Sequence, residues 1–378
     1  MIYFVTHEFA PFRGGGSTYV QEVARAAAAL GESVRVIAPD YGQAVHASDA
    51  NAPYPIERVR CSGRLTPAGI WSLTRALAGR REALRGAPIV LLSVGAQMAM
   101  MLLTRFFGFR PSRSVIAFFH GSEVLRFRDH PLWRRLAARS LPLTLPACAS
   151  RYVERLLLES KLYPSETPVV VAPCACPAAI AASAELAAER EQAGSQVFRL
   201  LTLARLHPRK GQHLTARALG LLPGERRKRL RYELVGEGTS SYRRVVERAC
   251  VEAELDFSIR RAVQPSELTA IYSACDAYIM TSVSLPNSVE GFGITYLEAS
   301  IHGRPVIAFR TGGVEEAVRD GETGLVVPEG DLPAVANAVC RLMDEPTLAA
   351  RLGRGGREFA KGFRWENAAK ALCDAALA

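Results

Sequence analysis

Short runs rich in β-branched and aromatic residues alternate with longer helical stretches through almost the whole chain, and the alternation lapses only once. Residues 2–6, 34–38, 89–92 and 115–119 are of the first kind, and residues 17–30 of the second. A strand that is always followed by a helix returns to its sheet in the same direction, so the pattern predicts parallel sheets with helices on both faces. Around residues 178–196 it gives way to an Ala/Glu stretch, AAIAASAELAAEREQAGS. It then restarts with runs at 198–203, 231–235, 276–280, 306–309 and 324–327. The expected fold is α/β: two doubly wound, Rossmann-like domains over 1–185 and 186–360, with a helix at about 361–378 packing back on the first. Ligands of such sheets bind beyond the C-terminal strand ends, which puts the chemistry in a cleft between the domains.

With 378 residues and 49% apolar side chains, each half can bury its own core. Of eight scattered cysteines only Cys174 and Cys176 are close. A lone C-x-C makes a poor zinc site, so reduced, buried thiols are expected. No uninterrupted apolar run has the length of a membrane span. Met1 leads straight into a strand rather than a basic-flanked leader, so a cytoplasmic protein is expected. The net charge of +10 is concentrated: residues 51–150 hold fifteen arginines against four acids, +11 between them. Such a face could meet nucleic acid, an anionic membrane or a phosphorylated substrate. Without zinc-finger spacing, an RNA-recognition motif or a basic zipper, nucleic acid is the weakest of the three and is not expected as a partner.

Missing motifs narrow the chemistry. There is no G-x-x-x-x-G-K-[ST], no complete G-x-G-x-x-G after a strand, and no Asp-x-Asp to hold a metal on a diphosphate, so no metal site is expected. The nearest acidic cluster, Glu252-x-Glu254-x-Asp256, reads as a solvated helix end. What remains are phosphate-binding devices at strand ends. HEFAPFRGGGSTYV puts Gly14, Gly15 and Gly16 at a helix start, with Ser17 or Thr18 as its cap. Glycines let the backbone approach a bulky anion and exposed amides attract it, although a plain tight turn would use the same residues. ARLHPRKG sets Arg205 and Lys210 on one strand-to-helix loop, as a fork and a point charge for a diphosphate or as ordinary solvated charges.

VEGFGITYLEAS is more specific. Glu290 to Gly293 form a loop, and a helix begins near Gly293 or Ile294 with free amides that can hold phosphate. Glu298 lies in its first turns, with the side chain leaning back toward the start. Two carboxylates beside one anion site would repel the anion unless each accepts hydrogen bonds from hydroxyls. A sugar on one side and a ribose on the other would supply them.

The stretch VEGFGITYLEASIHGRPVIAFRTGGVEEAVRDGETGLVVPEGD resembles the signature of the family-4 retaining glycosyltransferases, whose two glutamates are spaced as Glu290 and Glu298 are. ARLHPRKG, LVGEG (234–238), HGSE (120–123) and the early PFRGGG resemble that family in order and spacing, so the resemblance spans nearly the whole chain. It implies the GT-B fold and a retaining hexosyltransferase that needs no metal. By the same resemblance the catalytic set is His120, Glu290, Arg205 and Lys210. Arg205 and Lys210 would neutralise the donor diphosphate and the departing nucleotide. Glu290 would hold hydroxyls of the transferred sugar and Glu298 those of the ribose. The amides of Phe292, Gly293 and Ile294 would lie near the sugar and β-phosphate. Gly15 and Gly16 would approach the diphosphate from the other domain. Gly236, Arg261 and Val263 would complete the donor site, His120 would lie near the reaction centre, and Glu316 would support it. The implied mechanism is front-face, with the leaving phosphate helping to deprotonate the acceptor. No carboxylate then acts as nucleophile, unlike the paired acids of retaining glycosidases. Two departures stand out. Pro173-Cys174-Ala175-Cys176 replaces Asn-Gly-Val-Asp after the crossover strand, and Arg260-Arg261-Ala262-Val263 stands where a turn with a glycine precedes the base-binding loop. His7, His46, His130, His207, His213 and His302 are assigned no catalytic role. Trp71, Trp133 and Trp365 read as packing residues, and the Phe292 ring as a space filler.

The surroundings of Glu290 most resemble mannosyltransferases acting on lipid acceptors. That favours GDP-mannose as co-substrate, with a UDP-hexose as the close alternative, no further cofactor, and a lipid-linked or glycan acceptor. In PAGIWSLTRALAGRREALR, Ile70, Leu73, Leu77 and Leu84 share one stripe, with Arg75, Arg80 and Arg85 away from it. Arg105, Arg110, Arg113, Arg126, Arg128, Arg134 and Arg135 extend the charge. This reads as an interfacial surface for anionic lipid on the inner face of the cell membrane, against the simpler possibility that the stripe packs on the sheet. A UDP-hexose transferase with a soluble acceptor, a non-catalytic nucleotide-sugar-binding protein and a nucleotide-sugar epimerase stay open as alternatives.

Overall fold

A computed structural model describes residues 1–12, 14–42, 49–186 and 197–378. Arg13 of PFRGGG, His46 and the later part of the Ala/Glu stretch lie outside the described residues. The chain forms two compact units: Met1–Cys174 together with Arg364–Ala378, and Ala175–Phe363.

The first unit is built on β1 (Ile2–Val5), β2 (Val34–Pro39), β3 (Ile56–Val59), β4 (Ile89–Leu91), β5 (Val115–Phe119), β6 (Leu145–Cys148) and β7 (Val170–Val171). They form one parallel sheet in the order β3-β2-β1-β4-β5-β6-β7. Every residue of β5 is buried, because helices cover both faces and leave no polar side. The order reverses between β1 and β4, where Val5 pairs with Ile37 on one side and Leu91 on the other. On one face, the C-terminal helix Trp365–Leu377 lies on helix Gly15–Ala29. Between them Tyr19 stacks on Phe118 at 4.5 Å and meets Trp365 edge-on at 5.3 Å. Its hydroxyl donates to the Ala172 carbonyl at 2.9 Å, so a fully buried phenol costs no unmade hydrogen bond. Each such buried ring contributes roughly 1.5–3 kcal/mol.

Helix Pro67–Ala78 covers the other face. Thr66 caps it by accepting from the Gly69 amide at 3.1 Å, and Pro67 opens its first turn. Its apolar stripe corrects the lipid-facing expectation. Ile70, Leu73, Leu77 and the following Leu84 are all buried, packed with residues of helix Val94–Phe107 such as Ala96, Ala99 and Met98. The stripe belongs to the core. Trp71, expected to pack inside, is instead exposed on the outer side of the same helix, whereas Trp365 is buried.

The second unit repeats the plan with β8 (Phe198–Leu203), β9 (Leu230–Val235), β10 (Asp256–Arg260), β11 (Ala277–Met280), β12 (Val306–Arg310) and β13 (Gly324–Pro328). These are parallel in the order β10-β9-β8-β11-β12-β13, with the reversal between β8 and β11. Helix Ala178–Leu186, which spans the boundary expected near residue 185, packs on helices Leu268–Ala274 and Ile294–Ile301 and belongs to this unit. One helix, Pro346–Lys361, runs unbroken through the glycines at 353, 355 and 356. A Cβ on Gly353 would come within 2.1 Å of the Gly303 carbonyl oxygen. Glycine there admits a close backbone approach rather than breaking the helix. All eight cysteines are free thiols, seven of them buried. Among the described residues no helix is long and apolar enough to cross a membrane.

Candidate active site

In the second unit the C-terminal ends of β8 and β11 flank the sheet's reversal, and loops from both converge on Glu290. The turn Pro208–Lys210 follows β8 and is pinned to the end of β11, where the Val283 amide donates to the Arg209 carbonyl at 2.8 Å. This sets Lys210 Nζ 2.5 Å and Arg209 Nη1 2.6 Å from Glu290 Oε2, and Ser282 Oγ donates to the same oxygen at 3.0 Å. Glu290 is held from behind as well. The Gly313 amide donates to its carbonyl at 2.8 Å, and a Cβ on Gly312 (φ +56°) would collide with that carbonyl oxygen at 2.1 Å. Burial pushes the Glu290 carboxyl up, but the charges of Lys210 and Arg209, with their hydrogen bonds, outweigh it and hold the pKa at about 2. All three bonds fall on Oε2, so Oε1 keeps its accepting capacity among the described residues.

Arg205 follows β8, exposed and without an ion pair among the described residues. Burial, then the charges of Arg205, Arg209 and Lys210, push the His207 pKa down, which marks how closely those three cations gather. Three cations against one carboxylate leave two positive charges over, the right sign and size for a diphosphate. The sequence pattern singled out Arg205 and Lys210 but missed Arg209 and Ser282.

Helix Ile294–Ile301 starts at Gly293, whose φ of +97° is left-handed, and no side chain caps it. Its first amides stay open to an anion. The Phe292 side chain is buried against Phe363 with ring centroids 5.5 Å apart, so only its backbone can serve a ligand. Glu298 sits on the buried side of this helix, where Tyr272 Oη donates to its Oε2 at 2.6 Å. With no cation beside it among the described residues, burial outweighs that hydrogen bond and raises its pKa to about 7. His302 stacks on Tyr272 at 5.1 Å and meets the Glu298 carbonyl through Nδ1 at 2.7 Å. A carbonyl only accepts, so Nδ1 carries the proton.

Gly236 follows β9, and its amide donates to the Arg260 carbonyl at 3.0 Å. The turn that departs from the family's glycine keeps a left-handed backbone nonetheless: Ala262 has a φ of +51°. Glu237 holds it, accepting from the Ala262 amide at 2.9 Å and from Arg261 at 3.0 and 3.1 Å. Val263 follows, half-buried.

In the first unit, the ends of β1, β4 and β5 meet. Ser93, at the start of helix Val94–Phe107, accepts from the His7 amide at 2.9 Å and so ties β4 to β1. His120 Nε2 faces the Leu92 carbonyl at 3.2 Å, and its ring rests edge-on against Phe118 and Tyr19. Glu123 of HGSE accepts the amides of His120 and Gly121 at 3.1 and 2.9 Å, so it shapes the loop that carries the histidine. Helix Gly15–Ala29 begins three residues earlier than a Ser17 cap, and four earlier than a Thr18 cap, would allow; Ser17 is buried within it, and its N-cap is Gly14, which has no side chain to cap with. A Cβ on Gly16 would lie 3.5 Å from Glu8 Oε2 and 4.0 Å from His120 Nε2. Gly16 and His120 therefore lie beside Glu8, whose Oε1 is 3.2 Å from His7 Nε2, while nothing lies within 4 Å of a Cβ on Gly15. Glu8 drew no attention in the sequence, although it lies only three residues past the first strand. Elsewhere on this unit, Arg128, Asp129, Pro131, Arg134, Arg135 and Ala138 line a cavity of about 390 Å³. Arg128 is spent on Asp129 at 2.6 Å, while Arg134 and Arg135 make no ion pair of their own among the described residues.

Two parallel-sheet Rossmann-like units with their sites at the strand-order reversals define the GT-B glycosyltransferase fold. Solved structures share it: sucrose-phosphate synthase from Thermosynechococcus elongatus has a TM-score of 0.75 at 22% identity, covering 99% of this chain and 97% of that one. Anabaena HepE in complex with UDP and glucose also has a TM-score of 0.75, at 18% identity, covering 99% and 98%. The family described as "Glycosyl transferases group 1" matches residues 197–345, and "Glycosyltransferase Family 4" matches residues 13–177. The chain is 30% identical over 386 residues to the GDP-mannose-dependent alpha-(1-6)-phosphatidylinositol monomannoside mannosyltransferase of Mycolicibacterium smegmatis, covering 98% of this chain and 96% of that protein. The chain belongs to the family-4 glycosyltransferases.

Proposed function

We propose that this protein is a retaining, metal-independent hexosyltransferase that moves mannose from GDP-mannose to a lipid-linked or glycan acceptor. The observation that carries the reading is the division of labour on Glu290. Its Oε2 is saturated by Lys210, Arg209 and Ser282, and its Oε1 is left for hydroxyls of a sugar. A carboxylate locked in this way is a poor nucleophile and a good hydroxyl acceptor. The surplus charge of Arg205, Arg209 and Lys210 would stabilise the departing nucleoside diphosphate without a metal. Glu298 would take the ribose hydroxyls, the amides of Phe292, Gly293 and Ile294 the sugar and β-phosphate, and Gly236, Arg261 and Val263 the rest of the nucleotide. Gly15 and Gly16 are assigned to the diphosphate and His120 to the reacting sugar.

In the step itself, the bond from the sugar C1 to the β-phosphate oxygen breaks while the acceptor oxygen bonds C1 on the same face. The acceptor proton passes to the leaving phosphate oxygen. The relative from Mycolicibacterium smegmatis acts, by its name, on a phosphatidylinositol mannoside, and the unpaired Arg134 and Arg135 would suit a phosphate-bearing acceptor of that kind. A lipid acceptor would make this a peripheral enzyme of the inner membrane face.

Incubation with GDP-mannose and with UDP-hexoses, followed by NMR of the product's anomeric carbon, tests the proposal. Retained configuration, preference for GDP-mannose and a loss of at least about a hundredfold in rate for Glu290→Ala are expected. An inverted product, or nucleotide binding without turnover of any donor, would reject it; turnover of UDP-hexoses alone would move the donor assignment.

A further inference from the structure

The outer side of helix Pro67–Ala78, opposite the stripe that feeds the core, carries an aromatic cluster. Trp71 is 42% exposed, and it meets Phe106 (61% exposed) and Phe107 (39% exposed) from the last turn of helix Val94–Phe107. Ring centroids are 5.9 Å apart for Trp71–Phe106 and 6.0 Å for Trp71–Phe107. Three large rings packed on one another yet open to water are an arrangement that a soluble surface rarely keeps. The charge around them has one sign. The Arg105 guanidinium lies over the Phe106 ring at 5.6 Å, Arg75 is exposed one helical turn after Trp71, and Arg110 is exposed just beyond Phe107.

We propose that Trp71, Phe106 and Phe107 form a wedge that enters the headgroup layer of an anionic bilayer, with Arg75, Arg105 and Arg110 on the lipid phosphates around it. Tryptophan and phenylalanine favour the boundary between water and hydrocarbon, and arginine forks match phosphate. The same charge argues against a second copy of this chain as the occupant. Pairing the patch with itself would set arginines against arginines. Three side chains also cover far less than the roughly 1,200 Å² that stable protein pairs bury. The wedge gives a place and a chemistry to the membrane association that a lipid acceptor requires. It rests on the lipid-acceptor reading for its purpose, not for its test.

The test is flotation of the full-length protein with vesicles of phosphatidylcholine alone and of phosphatidylcholine with phosphatidylglycerol, at low and moderate salt. Wild type should float with the anionic vesicles, and less so as salt rises. Trp71→Ser combined with Phe106→Ser should lower that partition at least roughly tenfold, and Arg105→Glu should lower it on anionic vesicles. Both positions are solvent-exposed, and an unchanged melting shift on adding the nucleotide will show that the variants remain folded and that the donor site is intact. Equal flotation of the double variant, or no flotation of wild type, overturns the wedge. A wild-type dimer that the double variant converts to monomer assigns the patch to self-association instead. Loss of all nucleotide response in wild type would strike the transferase reading and leave the wedge standing.

Discussion

The hydroxyl of Tyr272 donates to Glu298 across 2.6 Å, and no cation shares that carboxylate among the described residues, whereas Glu290, eight positions earlier, is shared by two. The two glutamates of one motif therefore live at opposite ends of the carboxylate range, at about 7 and about 2. One helix start thus carries a fixed charge and a charge that appears only under the right conditions.

For Glu298 the sign is set by a folded pKa raised from 4.5 to about 7. The folded state holds its proton more tightly, so the stability from that proton is present below pH 4.5 and is lost as pH rises through about 7. The gap corresponds to about 3 kcal/mol. Glu298→Gln should raise the urea midpoint at pH 8 and converge with wild type near pH 4. If ribose hydroxyls bind the ionised form, nucleotide affinity in wild type should weaken by up to roughly tenfold per pH unit below 7. Calorimetric titration from pH 6 to 8 checks this; a flat profile would separate Glu298 from the ribose.

Glu290 runs the other way. Its pKa is depressed from 4.5 to about 2, so its contribution is present above 4.5 and fades only as pH falls through about 2. The acidic limb of the transfer rate above pH 5 should therefore not belong to Glu290. Lys210→Met should lower the transfer rate at least about a hundredfold, because the buried carboxylate then keeps only one cation and the leaving group loses one. Full activity in that variant would remove Lys210 from the mechanism.

Ala262 bends the chain with a left-handed φ of +51°, a conformation that costs a residue with a Cβ about 1 kcal/mol. Ala262→Gly should stabilise the second unit by about 0.5 kcal/mol, after the larger freedom of glycine in the unfolded chain is set against the relief of strain. Thermal melting with and without nucleotide reads it. A lower midpoint would mean that Glu237 needs the alanine backbone as it stands.

Gly353→Ala should cost about 1–3 kcal/mol by pressing a methyl group into the Gly303 carbonyl. The far-UV circular dichroism of the variant should be unchanged, since alanine favours helix. Stability equal to wild type would contradict the continuous Pro346–Lys361 helix and its close contact.

Much of the fold was legible because strands buried on both faces are written as unbroken apolar runs, as at Val115–Phe119 and Ala277–Met280. The strands that escaped are those that break this rule. Ile56–Val59 and Asp256–Arg260 are outer strands with charged residues, Leu145–Cys148 contains a proline, and Val170–Val171 is only two residues long. Glu290 and Lys210 were legible within contiguous motifs. Arg209 was not, because its meaning depends on a partner 81 positions away. The Ile70 stripe was misjudged because helical spacing records an apolar face without naming what it meets; core and membrane look alike in one dimension.

The contact between Tyr19 and Trp365 ties the fate of the first unit to the order of synthesis. The second unit is one continuous segment, Ala175–Phe363, and holds all its parts once that segment has left the ribosome. The first unit, begun at Met1, lacks one wall until Trp365–Leu377 emerges. During translation the half made first is therefore completed last, and until then the Tyr19 side of its sheet stays uncovered where that helix will lie, a ready binding place for chaperones.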